Sequence, residues 1–136
     1  MMSILNLKYM LFSTVFFFLA KSCSEGEVGV SDKTELDTMH KEIQKLAKSE
    51  DCDDSKQWRF TALGAKPCGG PTSYIAYSAK IDTVLFLSMV KEYNKGMVEY
   101  NIENGLVSDC AMVAMPSGVI CKENMPVFIY SNSKAE

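Results

Sequence analysis

The stretch Lys66-Pro67-Cys68-Gly69-Gly70-Pro71 sets a thiol among two glycines and two prolines. A cysteine there is either a nucleophile on a glycine loop or one half of a structural bridge. A nucleophilic cysteine needs a base that holds the thiolate and later returns the proton. The one histidine, His40, lies on the flank of a lysine-rich amphipathic segment, where it reads as a surface side chain. The glycines do not form a P-loop, which would need longer glycine spacing ending in Lys-Ser/Thr; this loop ends in Pro71-Thr72. Glycines accepting positive φ in a tight turn account for the motif better than an anion nest.

Asp51, Asp53 and Asp54 form the other cluster with ligand chemistry. An EF-hand loop starting at Asp51 wants glycine at its sixth place and glutamate at its twelfth, which hold Lys56 and Ala62. The run therefore reads as a solvated acidic loop, with no metal assigned. No acidic pair stands in a frame suited to glycoside chemistry. Phe86, Val90, Tyr93, Met97 and Tyr100 recur at helical spacing and read as core before they read as a ligand groove. No catalytic residue and no cofactor are assigned.

The N-terminus speaks to compartment. Residues 1–22 contain Lys8 and Lys21, no acidic residue, and an apolar run over 9–20. A membrane-spanning helix needs about 20 apolar residues, so a basic start with a short apolar centre predicts a secretory signal. Leu19-Ala20-Lys21-Ser22-Cys23 resembles the bacterial lipobox, in which the cysteine is lipidated and becomes the mature N-terminus. Here Lys21 takes a place usually small or hydroxylated, and the leucine stands one place early. Ser24-Glu25-Gly26-Glu27 is similar to the acidic tracts that send Bacteroidota lipoproteins to the cell surface.

Cysteine counting supports this reading. Removal of 1–22 leaves Cys23, Cys52, Cys68, Cys110 and Cys121, an odd set that calls for a reason in an exported chain. A lipid on Cys23 supplies one, and at about 0.8 kcal/mol per buried CH₂ two or more palmitate-type acyl chains anchor a protein stably in a bilayer. Losing Lys8 and Lys21 also makes the net charge of −3 two units more negative. An acidic domain with a single arginine, Arg59, is a poor partner for nucleic acid.

The remaining four cysteines permit three pairings. If Pro116-Ser117 centre a hairpin, Cys110 and Cys121 come nearly opposite each other, which favours Cys110–Cys121 and leaves Cys52–Cys68. Each bridge would close a short loop, worth about 3 kcal/mol on chain-entropy estimates. A zinc site is disfavoured because no Cys-x-x-Cys pair occurs and an exported compartment favours disulfides.

The elements that position these residues follow from periodicity. Residues 23–31 read as a polar tether. Asp32 with Glu35 caps a helix over 32–50, whose stripe is Leu36, Met39, Ile43 and Leu46. Trp58, Phe60 and Ala62 alternate with polar residues in a strand over 57–63, and Tyr74 to Tyr77 is a second. Asp82 caps a long helix, with Leu85, Leu87 and Met89 widening its stripe, Gly96 as a weak point or close contact, and Asn104-Gly105 as the stop. Strands are expected over 106–114, 119–121 and 126–130 as a three-strand meander, joined by turns at 115–118 and 122–124, with a frayed tail over 132–136. The predicted fold is α+β: a small antiparallel sheet with two amphipathic helices on one face, stabilised by two disulfides, in a bridged domain over 51–131.

Trp58-Arg59-Phe60-Thr61-Ala62-Leu63-Gly64-Ala65-Lys66-Pro67-Cys68-Gly69-Gly70-Pro71, then Tyr74-Ile75-Ala76-Tyr77-Ser78, Ile81-Asp82-Thr83 and Ser108-Asp109-Cys110, resemble a group of small Bacteroidota lipoproteins of flavobacterial type. The resemblance covers roughly 52–130 and implies a compartment and domain limits, not an activity. The expectation is a lipid-anchored outer-membrane protein, facing periplasm or cell surface, that binds or assists another envelope component without catalysis. Its candidate contact loop is Lys66, Pro67, Gly69, Gly70, Pro71 and Tyr74. Inhibition of a protease or other hydrolase by the same loop is the alternative, since pre-organised loops bind cheaply. An envelope enzyme of another type is the third reading.

Overall fold

The structure, a computed structural model, describes residues 32–131. The expected leader over 1–22, Cys23, the tether over 23–31 and the tail over 132–136 lie outside the described residues. In chain order the elements are α1 (Lys33–Ala47), a 3-10 turn (Ser55–Gln57), β1 (Trp58–Leu63), β2 (Ser73–Ser78), α2 (Thr83–Glu103), β3 (Gly118–Lys122) and β4 (Met125–Ile129). The described residues form an α+β fold with two helices and two small antiparallel sheets. No described helix is long and apolar enough to cross a membrane.

Both helices start at aspartate caps, which satisfy amide donors left open in the first turn. Asp32 Oδ1 accepts from the Thr34 N–H at 3.0 Å, and Asp82 Oδ1 from the Leu85 N–H at 2.9 Å. α1 ends at Ala47, earlier than expected, with Lys48 as its cap. α2 ends where Asn104 Nδ2 donates to the Tyr100 carbonyl at 2.8 Å and Gly105 turns left-handed at φ 58°. Glycine suits that turn because it has no Cβ to clash.

The sequence stripes become one core. Leu36, Ile43 and Ala47 of α1 cluster with Phe86, Val90 and Tyr93 of α2 and with Leu63 and Tyr77 of the first sheet. Met39, Leu46, Ile75, Met97 and Tyr100 pack around them. Tyr77 and Phe86 meet ring to ring at 4.7 Å. Leu85 and Leu87 do not widen this core; both are exposed, because only the i, i+4, i+7 face of α2 turns inward. Gly96 is buried in mid-helix.

β1 and β2 pair antiparallel from Trp58 opposite Ser78 to Leu63 opposite Ser73. Side chains alternate between faces, so Leu63, Ile75 and Tyr77 share one face and Trp58, Phe60 and Tyr74 the other. Phe60 meets Phe128 of β4 edge to face at 6.2 Å, joining the first sheet to the second.

The second sheet corrects the expected three-strand meander. Residues 106–114 form no strand: Val107 and Met112 are 93% and 96% exposed, and no ladder partner reaches them. The turn expected over 122–124 does form: the chain reverses at Glu123 and Asn124, both left-handed at φ 53° and 59°, as a two-residue hairpin turn requires. The register places Cys121 opposite Pro126 and Gly118 opposite Ile129. Ile120, Met125, Val127 and Ile129 share the outward face of this hairpin and are exposed.

The cysteine pairing is corrected with it. Cys52 is bonded to Cys121, with Cα atoms 5.2 Å apart, and neither Cys52–Cys68 nor Cys110–Cys121 forms. Since 106–114 forms no strand beside β3, Cys110 is not carried opposite Cys121. Cys52 and Cys68 lie beyond opposite ends of β1, whose six residues span about 20 Å at the usual rise per residue. Cys68 and Cys110 are both free and exposed, so the structure holds one disulfide where two were expected.

Candidate functional site

The loop between β1 and β2 is built by three glycines and two asparagines. Gly64, Gly69 and Gly70 take φ of 76°, 96° and 79°. A Cβ at Gly64 would overlap Thr72 Oγ1, whose hydroxyl donates to the Leu63 carbonyl at 2.8 Å. Within the turn, the Lys66 N–H donates to the Gly70 carbonyl and the Gly69 N–H to the Lys66 carbonyl, both at 2.9 Å. α2 then grips both strand end and loop. Asn94 Oδ1 accepts from the Gly64 N–H at 2.6 Å while its Nδ2 donates to the Ala62 carbonyl at 3.2 Å. Asn101, seven residues on and therefore on the same helix face, donates to the Ala65 carbonyl at 2.9 Å. Asn101 is buried, so this bond replaces water that its amide would otherwise keep.

Sequence reasoning missed both asparagines. The available signal was two amides at i, i+7 inside a largely apolar helix, where an unpartnered amide is expensive.

The expected contact residues fall into two adjoining depressions. Lys66, Pro67 and Gly69 line one of about 380 Å³ with Val98, Ile102 and Leu106. Gly69, Gly70, Pro71 and Tyr74 line a smaller one with Cys110 and Met112. Ile102 is 74% exposed, and Val98, Leu106 and Val107 are exposed beside it. The loop thus stands in an apolar surround with little charge. Its one cation is engaged: Lys66 Nζ donates to the Ala111 carbonyl at 2.6 Å and lies 3.8 Å from Asp109 Oδ1.

Cys68 and Cys110 meet at this surface. Cys68 Sγ lies 3.2 Å from Ser108 Oγ, Cys110 Sγ lies 3.9 Å from the Ser108 carbonyl oxygen, and both cysteines line one hollow. The Cys110 thiol, then the Ser108 hydroxyl, and more weakly the Lys66 charge hold Cys68 below the ordinary thiol value. The neighbouring Cys68, and then burial, push the Cys110 thiol up.

The histidine stands elsewhere. His40 is half-buried and stacked on Tyr93 at 5.3 Å, so it is a packing residue between the helices, not the free surface side chain expected. It lines a separate groove with Gln44, Ile75 and Phe128, while Cys68 lines a hollow with Leu106, Val107 and Ser108. Burial, and then the Asp37 charge, raise the Tyr93 hydroxyl above its ordinary value.

The acidic run is spent on structure. Asp54 Oδ1 accepts from the Lys56 N–H at 2.9 Å, and its Oδ2 from Gln57 Nε2 at 3.3 Å. Asp53 pairs with Lys80 Nζ at 3.1 Å, which holds its carboxyl below the usual carboxylate range. Among the described residues no three His, Cys, Asp or Glu side chains gather as a metal site. Compared with protein-family models, curated proteins and solved structures, the chain matches none.

Proposed function

We propose that this protein is an exported, lipid-anchored component of the outer membrane that binds another envelope protein or ligand and performs no catalysis. The observation that carries the reading is the Lys66–Pro71 turn, moored where it leaves β1 by Asn94 on Ala62 and Gly64 and by Asn101 on Ala65, and surrounded by exposed Val98, Ile102, Leu106 and Val107. A rigid turn loses little conformational freedom on docking, and an exposed apolar surround supplies area to bury. The short apolar leader and Cys23 supply the anchoring part, with acyl chains in the bilayer. The resemblance to small Bacteroidota lipoproteins supports the same compartment. In this reading both helices pack on the Leu63, Ile75 and Tyr77 face of the first sheet, which leaves the far end of α2 to present the contact surface.

The test is site-specific photocrosslinking in cells, with the reactive group at Ile102 in one strain and at exposed Lys91, three turns away on α2, in the other. A single partner captured from Ile102 and not from Lys91 is the expected result. Equal capture from both positions, or from neither, overturns the proposal. The internally bonded turn also suits insertion into a cleft. Capture of a hydrolase whose activity falls on binding would identify the inhibitor alternative.

A further inference from the structure

Among the described residues, the two cysteines outside the bridge are not scattered. They come from segments 40 residues apart or more, yet Cys68 Sγ lies 3.2 Å from Ser108 Oγ, Cys110 Sγ lies 3.9 Å from the Ser108 carbonyl, and both cysteines line the same hollow. The Lys66 ammonium lies beside them, tied to the Ala111 carbonyl and close to Asp109, so it clamps the chain on either side of Cys110. Both sulfurs are exposed. Two exposed thiols on one hollow, with a hydroxyl and a cation at hand, are the elements of a dithiol–disulfide couple.

From this geometry we infer that Cys68 and Cys110 form a second, reversible disulfide that opens and closes by exchange with small-molecule thiols and disulfides. Closing runs in two displacements. The Cys68 thiolate attacks one sulfur of a small disulfide, forms a mixed disulfide and expels a thiolate, which takes up a proton. Cys110 then loses its proton, attacks the Cys68 sulfur and expels the second small thiol. Two protein thiols become one disulfide, and the small disulfide leaves as two thiols, so electrons and protons balance. The lowered proton affinity of Cys68 and the raised one of Cys110 agree with this order, because the better thiolate attacks first.

The bridge would tie 106–114, which has no strand partner, to the loop that α2 already holds. It therefore switches the apolar surround between a fastened and a loose form. That consequence for binding rests on the proposed contact surface; the chemistry of the pair does not.

The test equilibrates the full exported chain at a series of reduced-to-oxidised glutathione ratios, traps free thiols by alkylation, and maps bridges by mass spectrometry. The expected result is a Cys68–Cys110 bridge that is half reduced at a reduced-to-oxidised ratio at least tenfold lower than is needed for Cys52–Cys121. In Cys110→Ser, a glutathione adduct should accumulate on Cys68. The inference is overturned if both thiols stay alkylatable throughout, if the two bridges reduce together, or if Cys110→Ser gains no adduct. Photocrosslinking from Ile102 in the same samples separates the two claims. Lost capture with the bridge intact sinks the binding reading alone, whereas retained capture with no bridge sinks this one alone.

Discussion

The two cysteine pairs occupy contrasting settings. At Cys52–Cys121 everything is tied: Cys52 is 2% exposed, its N–H donates to the Asn124 carbonyl at 3.0 Å, and the Cys121 N–H donates to Ser55 Oγ at 2.9 Å. At Cys68 and Cys110 the sulfurs face solvent and the chain over 106–116 has no ladder. The first pair joins the start of the sheet region to the second hairpin and serves the fold. The second sits on a surface whose loop is held from beneath by amides, so its thiols carry no structural duty in the reduced state. In one small domain, then, the same residue type does architectural work where it is buried and keeps its reactivity where it is not.

Breaking the buried pair should have the largest effect. Cys121→Ser frees a chain segment with a sequence separation of 69. Chain-entropy estimates put the loss at about 4 kcal/mol, read as a lower denaturant midpoint; Cys68→Ser measured under reducing conditions should leave that midpoint within error. A Cys121→Ser midpoint equal to wild type would erase the contrast. Next comes the amide support of the exposed side. Asn101→Ala leaves the Ala65 carbonyl without its partner and should cost about 1–2 kcal/mol in the same assay. It should also raise amide hydrogen exchange at Lys66 and Gly69, whereas a change confined to the second hairpin would refute the role given to Asn101.

The smallest effect belongs to Asp53, beside the buried bridge. Its folded carboxyl value is depressed by Lys80, so its contribution is present above the unfolded carboxylate value and is lost as pH falls through the folded one. Both partners are exposed and solvent screens the pair, so Asp53→Asn should shift stability only slightly at neutral pH. The difference between variant and wild type should vanish in acid. A difference that grows on acidification would contradict the pairing.

Much of the scaffold was legible from residue order. The aspartate caps, the apolar stripes and the two strands around the Pro/Gly loop all rest on local rules, and those rules held at Asp32, Asp82, Phe86 and Trp58. The turn over 122–124 was legible and forms as expected. What failed was the hairpin at Pro116-Ser117, a strong turn composition whose first strand does not form. The cysteine pairing failed with it, because it relied on 106–114 as that strand. Residues 106–114 misled because Val107, Met112 and Val113 favour strands, although a strand needs a neighbour, and none lies alongside. The loop itself was visible in its glycines and prolines. Its mooring was not, since Asn94 and Asn101 gain meaning only once α2 lies beneath Gly64 and Ala65.

The Cys52–Cys121 bond has a consequence for how the molecule endures damage. It closes residues 52–121 into a covalent ring, and the most exposed apolar stretch, around Val107 and Met112, lies inside that ring. A protease that cuts there linearises the ring but sheds no fragment: the piece bearing β3 and β4 stays attached through Cys121 to the piece bearing α1. Such a molecule can be nicked at its most accessible point and still hold its hairpin against Phe60.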